Sequence, residues 1–493
     1  MVLFFSHSLV NPVEFDTLDT TFFQSIYYLM ILMQTLNRRS VLKAIGLTAG
    51  ATAVGTSAEA TTVKEITFSP NPHYISIAQP ITAIVLGAGN RGNVYGRYAV
   101  AYPNDVKMVG VAEPNEFRNE RFSKTHGIEA NHRFTTWEDV FKVPKFADAI
   151  IISTPDTLHY GPALQALKMG YHVLLEKPIS PSMQECLEIL AAAKKSKSII
   201  AVCHVLRYTA YFRKLKELCA SGDLGEMISI NHLEGIEHVH MAHSYVRGNW
   251  HESKKTNPII LAKSCHDLDI MRWIANKSAK TVSAYGNLKW FKAENAPAGS
   301  TERCVEGCKV ERECPFSAIK VYYEQKKRIH VLDVPEDPTL QGPAILERLK
   351  TSNYGRCVYK MNNDQPDHYT SIYQFDKGVL ATFGLEAFTG WEARKTRVMF
   401  SMGEIEGDND LIRVTDFRTK EVTIWKASAQ KEFNNSGHGG GDHGLMQNFV
   451  QAVSQNNPAL LTSTIEASIE SHLMGFMAEE SRKNGRSMEI KIG

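Results

Sequence analysis

ITAIVLGAGNRG, residues 81–92, carries the reading around which the rest of the 493-residue chain is organised. The apolar run Ile81 to Leu86 predicts a buried strand, and Gly87, Gly89 and Gly92 fall on the G-x-G-x-x-G spacing that opens a dinucleotide-binding unit. Each glycine has a physical task. The first permits the tight turn, the second lets backbone approach a pyrophosphate, and the third lets the following helix pack close to the strand. The pyrophosphate then sits against free N–H groups at the start of that helix, where Asn90 and Arg91 stand. A second strand, Val106 to Ala112, ends at Glu113, about 20 residues beyond Gly92, where a carboxylate takes hydrogen bonds from the adenosine ribose. A carboxylate there repels a 2′-phosphate, which favours NAD over NADP unless Arg91 or Arg118 offsets the repulsion. The competing reading is a ligand-free βαβ unit; glycines, strand and acidic residue in register disfavour it.

The length suffices for two or three domains with large cores. A net charge of +2 and a pI near 8.0 leave no strong field for nucleic acid or an anionic membrane, so the expected partner is a small molecule.

Residues 1–60 read as a signal region. Asn37-Arg38-Arg39-Ser40-Val41-Leu42-Lys43 matches a twin-arginine signal with Asn where Ser or Thr is usual. A mildly apolar run to Ser57 and the small-x-small site Ala58-Glu59-Ala60 follow. Met33 offers an alternative start with a normal short n-region. The run Phe22 to Met33 has 12 residues, too few to span a bilayer as a helix. Export to the periplasm or beyond, with no stable membrane span, is the expectation.

From residue 75 to 205 the pattern alternates strands with helices: Ile81–Leu86, Val106–Ala112, Ala147–Ser153, Tyr171–Glu176 and Ser198–Cys203. That alternation predicts a parallel, doubly wound sheet of the Rossmann type, with ligands beyond the C-terminal ends of its strands. Ser153-Thr154-Pro155, Glu176-Lys177-Pro178 and Cys203-His204 arrive there. An ammonium at Lys177 can hydrogen-bond a reacting hydroxyl and stabilise a developing alkoxide; the bland alternative is a solvated loop lysine. The second constellation is LAKSCHDLDIMRW, residues 261–273, read as one helix on which Lys263, His266 and Asp269 share a face. A histidine so placed can take a proton while a hydride leaves the same carbon.

GAGNRG, VAEPN, STPDTLH, EKP and CHDLDIMRW together resemble the Gfo/Idh/MocA oxidoreductases, which include glucose-fructose oxidoreductase and inositol dehydrogenase. The resemblance runs from Ile81 to near the C-terminus. It implies an α/β fold: an N-terminal Rossmann domain, and over residues 206–493 an α/β domain with a large, mostly antiparallel sheet used for substrate and oligomerisation, as a homodimer or homotetramer. It places Lys177 and His266 beside the nicotinamide, and Thr154, Pro155, His159 and Glu176 around the cofactor. Many members carry an aspartate four residues before the histidine. Here Ala262 stands there with Lys263 beside it, so the family's full catalytic trio is not carried over and Lys263 becomes the third candidate.

Two polar stretches are candidates for a carbohydrate or cyclitol pocket, with Asp269 as a further contact. Residues 237–250 supply His240, His243, Arg247 and Trp250, and residues 438–443 supply His438 and Asp442. Cys304-x3-Cys308-x5-Cys314, with Cys357, suits a structural zinc, disulfides or free buried thiols, and the spacing does not choose among them.

The function expected is NAD-dependent oxidation of a hydroxyl on a sugar, cyclitol or glycoside. Outside the cytoplasm no nicotinamide pool exists, so the cofactor is expected to stay tightly bound, with residues 61–80 as a covering arm. A redox-neutral NAD-dependent glycosidase or lyase is the alternative, and a cofactor-holding binding protein without turnover the third.

Overall fold

The computed structural model describes residues 63–65, 77–335, 337–430 and 437–491. The expected signal over residues 1–60, with Met33 and the Phe22–Met33 run, lies outside the described residues. Strands in the first part are Val63–Glu65 (β1), Ile81–Leu86 (β2), Val106–Ala112 (β3), Arg133–Phe134 (β4), Ala149–Ile152 (β5), His172–Leu175 (β6) and Ile200–Val202 (β7). Six of them form an all-parallel sheet in the order β4-β3-β2-β5-β6-β7. Ile84, Val85, Ile150, Ile151, Val173 and Leu174 are fully buried, so both faces are covered and the strands read as continuous apolar runs. Because β2 is flanked by β3 and β5, chain direction diverges on either side of it, and a crevice opens at its C-terminal end. The two-residue strand β4 carries no periodicity that a sequence could show.

The second sheet adds Met227–Ile236 (β8), Ala279–Asn287 (β9), His368–Phe375 (β10), Leu380–Glu386 (β11), Glu392–Phe400 (β12), Gly403–Gly407 (β13), Leu411–Asp416 (β14), Val422–Lys426 (β15) and Met488–Glu489 (β16). The order is β1-β15-β14-β13-β12-β8-β11-β10-β9-β16, antiparallel except at β1·β15 and β8·β11. Strand β10 shows why one face is covered: Tyr369, Ser371, Tyr373 and Phe375 are buried while Ile372 between them is exposed. β1 joins the edge of this sheet, which corrects, for those three residues, the expectation that segment 61–80 lies over the nucleotide.

Four helices position the site: Asn90–Ala101 (α1), Cys265–Ala275 (α2), Gly441–Ser454 (α3) and Ile465–Asn484 (α4). Leu445, Met446, Phe449 and Val450 of α3 pack into one core with Ile81, Val85 and Tyr95, so a late segment of the chain closes the parallel sheet. The single helix expected over Leu261–Trp273 is corrected: Ile259–Ala262 ends at Lys263, and α2 begins after Ser264. The N–H groups of Lys263 and Ser264 both turn back to the Ile259 carbonyl, and the Ser264 carbonyl then starts the new helix by accepting from Asp267 and Leu268. Lys263 and His266 therefore do not share a continuous helical face.

Candidate active site

The glycine-rich turn has the dimensions its spacing implies. Gly87 sits at φ +90°, and a Cβ there would meet the Ser153 carbonyl oxygen at 2.7 Å. At Gly92 a Cβ would lie 2.2 Å from the Gly87 oxygen, so only glycine lets α1 approach the turn. A Cβ at Gly89 would meet no heavy atom within 4 Å, which leaves open space on the crevice side. Gly89 caps α1 without a side-chain hydrogen bond, and no acidic residue stands in the first turn. The helix start, with Asn90 exposed on it, is thus free for an anion, and the residues fit a dinucleotide.

Glu113 completes this half. It is 6 % exposed, and its two carboxylate oxygens accept from the N–H groups of Ala88, at 2.8 Å, and Asn115, at 2.9 Å. The two cations able to neutralise a 2′-phosphate are engaged elsewhere. Arg118 is paired with Asp333 at 2.8 Å, and Arg91 donates to Glu176, Asp442 and the Tyr95 hydroxyl. Charge at the ribose end therefore favours NAD.

At the other end, burial alone would raise the Glu176 carboxyl, but Arg91 and Lys177 hold it below its usual range. Its neighbour Lys177 follows β6, precedes a cis bond to Pro178, and donates from Nζ to the Ala262 carbonyl at 3.3 Å. Among the described residues that is the one hydrogen bond of the ammonium. His266, at the start of α2, is 5 % exposed with an unbonded Nδ1. Burial first, then the Lys177 charge, pushes its imidazole well below the ordinary histidine range, so it stands neutral. His204 lies edge-on to it with ring centres 5.7 Å apart and is itself pushed down to about 4 by burial. His438 lies on the other side, with ring centres 6.3 Å apart, and its Nδ1 is 3.0 Å from Asp442. A neutral base and an ammonium thus stand together beyond the C-terminal ends of the parallel strands, able to move a proton from a hydroxyl.

The structure gathers some of the other expected residues here and not others. Lys263 lies 3.2 Å from Glu234 and 3.7 Å from Glu392, and Glu392 also holds His240 at 2.6 Å. Trp250 donates to Asp156 of the STPDTLH loop at 2.9 Å. Thr154 donates to the Leu158 carbonyl, exposed Pro155 opens the following turn, and buried His159 contacts the Thr154 and Pro178 carbonyls, each at 2.9 Å. His159 thereby ties together the loops that follow β5 and β6. Asp269 is not free for substrate: it is 1 % exposed and holds Arg207 through two 2.6 Å bonds. His243 bonds the Tyr322 hydroxyl at 2.7 Å, and Arg247 donates to the Arg356 and Phe316 carbonyls, so both face the segment between β9 and β10. Sequence reasoning missed Tyr95, Asp156, Glu234, Asp267, Glu392 and Arg394. On β8 the buried positions Ile230, His232, Glu234 and Ile236 alternate, and polar residues inside that apolar register were the available signal. Glu234 pairs with Arg394 at 2.6 Å, and Asp267 with Arg394 and His232, each at 2.9 Å.

The cysteines at 304, 308, 314 and 357 are all free, which corrects the disulfide option. All four residues line one cavity. Among the described residues no group of three or more His, Cys, Asp or Glu side chains is placed to hold a metal ion, so the zinc option finds no support there either. No helix among those residues is long and apolar enough to cross a membrane.

Comparison with known proteins agrees with this architecture. Residues 81–204 match the model of the oxidoreductase family NAD-binding Rossmann fold, and residues 216–490 match that of the family's C-terminal alpha/beta domain. The oxidoreductase YteT of Bacillus subtilis (strain 168) is 24% identical over 327 residues, 64% of this chain and 74% of that protein. Inositol 2-dehydrogenase of Salmonella typhimurium is 24% identical over 206 residues, 42% of this chain and 57% of that protein. Among solved structures, the inositol dehydrogenase homolog complexed with NADH and myo-inositol from Azotobacter vinelandii superposes with a TM-score of 0.60 at 14% identity, covering 84% of this chain and 98% of that one, a likeness of fold. With both family models matched in sequence order on a glycine-rich crevice that fits a dinucleotide, the chain belongs to the Gfo/Idh/MocA oxidoreductases, as an NAD-binding member.

Proposed function

We propose that this chain oxidises a hydroxyl-bearing carbon of a sugar, cyclitol or glycoside, with NAD held tightly in the crevice. The observation that carries the reading is the meeting of Lys177 and neutral His266 at the C-terminal edge of the parallel sheet. NAD supplies the hydride acceptor. Lys177 has donor capacity beyond its bond to Ala262; directed at the substrate hydroxyl, it lowers the pKa of that group and stabilises the alkoxide. His266 accepts the hydroxyl proton. Lys263, His240 and His438 offer polar contacts to neighbouring hydroxyls. The inositol-acting relatives support a polyhydroxylated ring as the substrate class.

Export by the twin-arginine route and assembly into two or four copies go with this reading. Retention of NAD without an external pool requires a Kd below ~1 nM, about 12 kcal/mol of binding. The test is to denature purified protein, identify the released small molecule by absorbance and mass, and then offer the intact protein inositols and pyranosides. Released NAD and a ring oxidised at one carbon support the proposal; absence of any dinucleotide overturns tight binding. Glycoside cleavage without net change in the cofactor would replace net oxidation by the redox-neutral reaction.

A further inference from the structure

Of the two imidazoles beside His266, one is open to solvent. His438 stands in the turn ahead of α3, its ring centre is 6.3 Å from that of His266, and its Nδ1 is 3.0 Å from the Asp442 carboxylate. We propose that His438, held by Asp442, is the relay that takes the substrate proton from His266 and passes it to solvent. The inference rests on His266 as the proton acceptor proposed above, and His438 acts through it as a positioning residue.

His266 needs such a partner because it holds a proton poorly. Its ring is buried, and both burial and the Lys177 charge oppose the imidazolium. Where many family members place an aspartate four residues ahead of this histidine, Ala262 stands here, and the buried Nδ1 of His266 has no hydrogen-bond partner. The other imidazole beside it, His204, offers no exit: it is buried, and burial pushes it down to about 4. His438 differs on both counts. Its side chain is 44 % exposed, and it carries its own carboxylate.

That carboxylate is fixed from two sides. Asp442 is buried and takes a second bond from Arg91 at 2.7 Å. Burial alone would raise it, but His438 and Arg91 hold it well below the usual carboxylate range, so it stays charged. An ionised carboxylate only accepts, which puts the hydrogen on Nδ1 of His438 and leaves Nε2 as the acceptor. So placed, it orients the ring and stabilises the imidazolium once that forms. The turn is shaped for this contact: a Cβ at Gly437 would lie 2.3 Å from Asp442 Oδ2, and His438 itself is held at φ +51°, in the left-handed region that residues other than glycine seldom occupy. With ring centres 6.3 Å apart the two histidines do not bond directly, so one oxygen, of solvent or of a neighbouring substrate hydroxyl, bridges them. The substrate O–H breaks and its proton goes to His266. The bridging oxygen then receives a proton from His266 as it gives one to Nε2 of His438, and the His438 imidazolium loses its proton to bulk water.

The test compares the unaltered protein with His438→Ala and His438→Gln in turnover of whichever polyol or glycoside the unaltered protein consumes, with substrate and NAD titrations on each. His438→Ala is expected to lower kcat at least about tenfold while KM and the Kd for NAD stay within about twofold, and added imidazole is expected to restore most of the loss, because the side chain it replaces is exposed. His438→Gln keeps a donor to Asp442 but cannot carry a proton, so it is expected to be as slow as the alanine variant and to gain nothing from imidazole. Unchanged kcat in both variants overturns the proposal, and so does a raised KM at unchanged kcat, which would leave His438 a substrate contact. Full activity in His438→Gln, or a slow His438→Ala that imidazole does not restore, would make the residue a structural support for Asp442 and overturns the relay equally. An unaltered protein that turns over no polyol or glycoside overturns the reading of His266 together with the relay, and that result is seen before any variant is made.

Discussion

The Lys177 ammonium donates to the main-chain carbonyl of Ala262 across 3.3 Å, joining the end of the parallel sheet to the short turn that precedes α2. Position 262 is where many family members carry an aspartate. Here the lysine is held by backbone, and the nearby carboxylates, Glu234 and Glu392, lie on the strands β8 and β12 and engage Lys263. The arrangement separates two tasks. In the proposed reaction, glycines, Glu113 and the start of α1 hold the dinucleotide, while Lys177 and His266 act on the reacting carbon. Variants at the two ends are therefore expected to fail differently.

Lys177→Met is expected to abolish turnover while NAD affinity changes little, because methionine keeps the volume and apolar stem but removes the donor. A fall in kcat of at least two orders of magnitude matches the loss of a group acting on the developing alkoxide. Steady-state kinetics with a cofactor titration on the same variant give both halves. Near-normal kcat would make Lys177 a loop residue.

Much of this was legible because it is written in local spacing. Strands β2 and β3 occupy the ranges that their apolar runs predict, and the glycine turn follows from three positions. The break at Lys263-Ser264 was not legible: the segment has helical periodicity throughout, and only the competition for the Ile259 carbonyl ends one helix and begins the next. Nor could periodicity show that α3, remote in sequence, packs into the core of the parallel sheet. Arg247 and Asp269 look like substrate ligands as residue types, yet both are consumed by partners more than sixty positions away.

Glu113→Ser is expected to weaken NAD by roughly 1–3 kcal/mol, the scale of a lost charged hydrogen bond, and to narrow the preference over NADP. Because Arg118 and Arg91 are held by Asp333, Glu176 and Asp442, the variant should approach parity between the two dinucleotides rather than invert the preference. Calorimetric titration of apo-protein with both checks this. Equal affinities in the unaltered protein would refute the role of Glu113.

The glycines make a contrasting pair. Gly92→Ala places a Cβ 2.2 Å from a backbone oxygen and should destabilise the fold by about 1–3 kcal/mol. At Gly89 the same change meets nothing within 4 Å, so the melting temperature of apo-protein should hold while dinucleotide binding falls at least tenfold. Melting curves and binding isotherms on both variants test it, and an unaffected Kd in Gly89→Ala would remove the pyrophosphate from this turn.

Acid is expected to unfold the protein through its buried histidines. Burial pushes His204 down to about 4 and His472 to about 3, while both titrate near 6.5 in the unfolded chain. The sign follows from proton counting. Below 6.5 the unfolded state binds protons that the native state refuses, so stability is complete above 6.5 and is lost as pH falls toward the folded values. Once the unfolded histidine is mostly charged, each such group contributes about 1.4 kcal/mol per pH unit. Carboxylates held low, Glu176 and Asp269 among them, act in the same direction but only as pH approaches their own unfolded range near 4. Between pH 6.5 and 5 the histidines therefore dominate. His204 is the cleanest to remove, since neither ring nitrogen has a hydrogen-bond partner and Asp269, its nearest carboxylate at 3.9 Å, is held by Arg207. Urea midpoints of apo-protein across this range should fall steadily, and His204→Gln should flatten the slope by about one proton's worth. A midpoint independent of pH from 7 to 5, or an unchanged slope in His204→Gln, would mean that these imidazoles are charged in the native state.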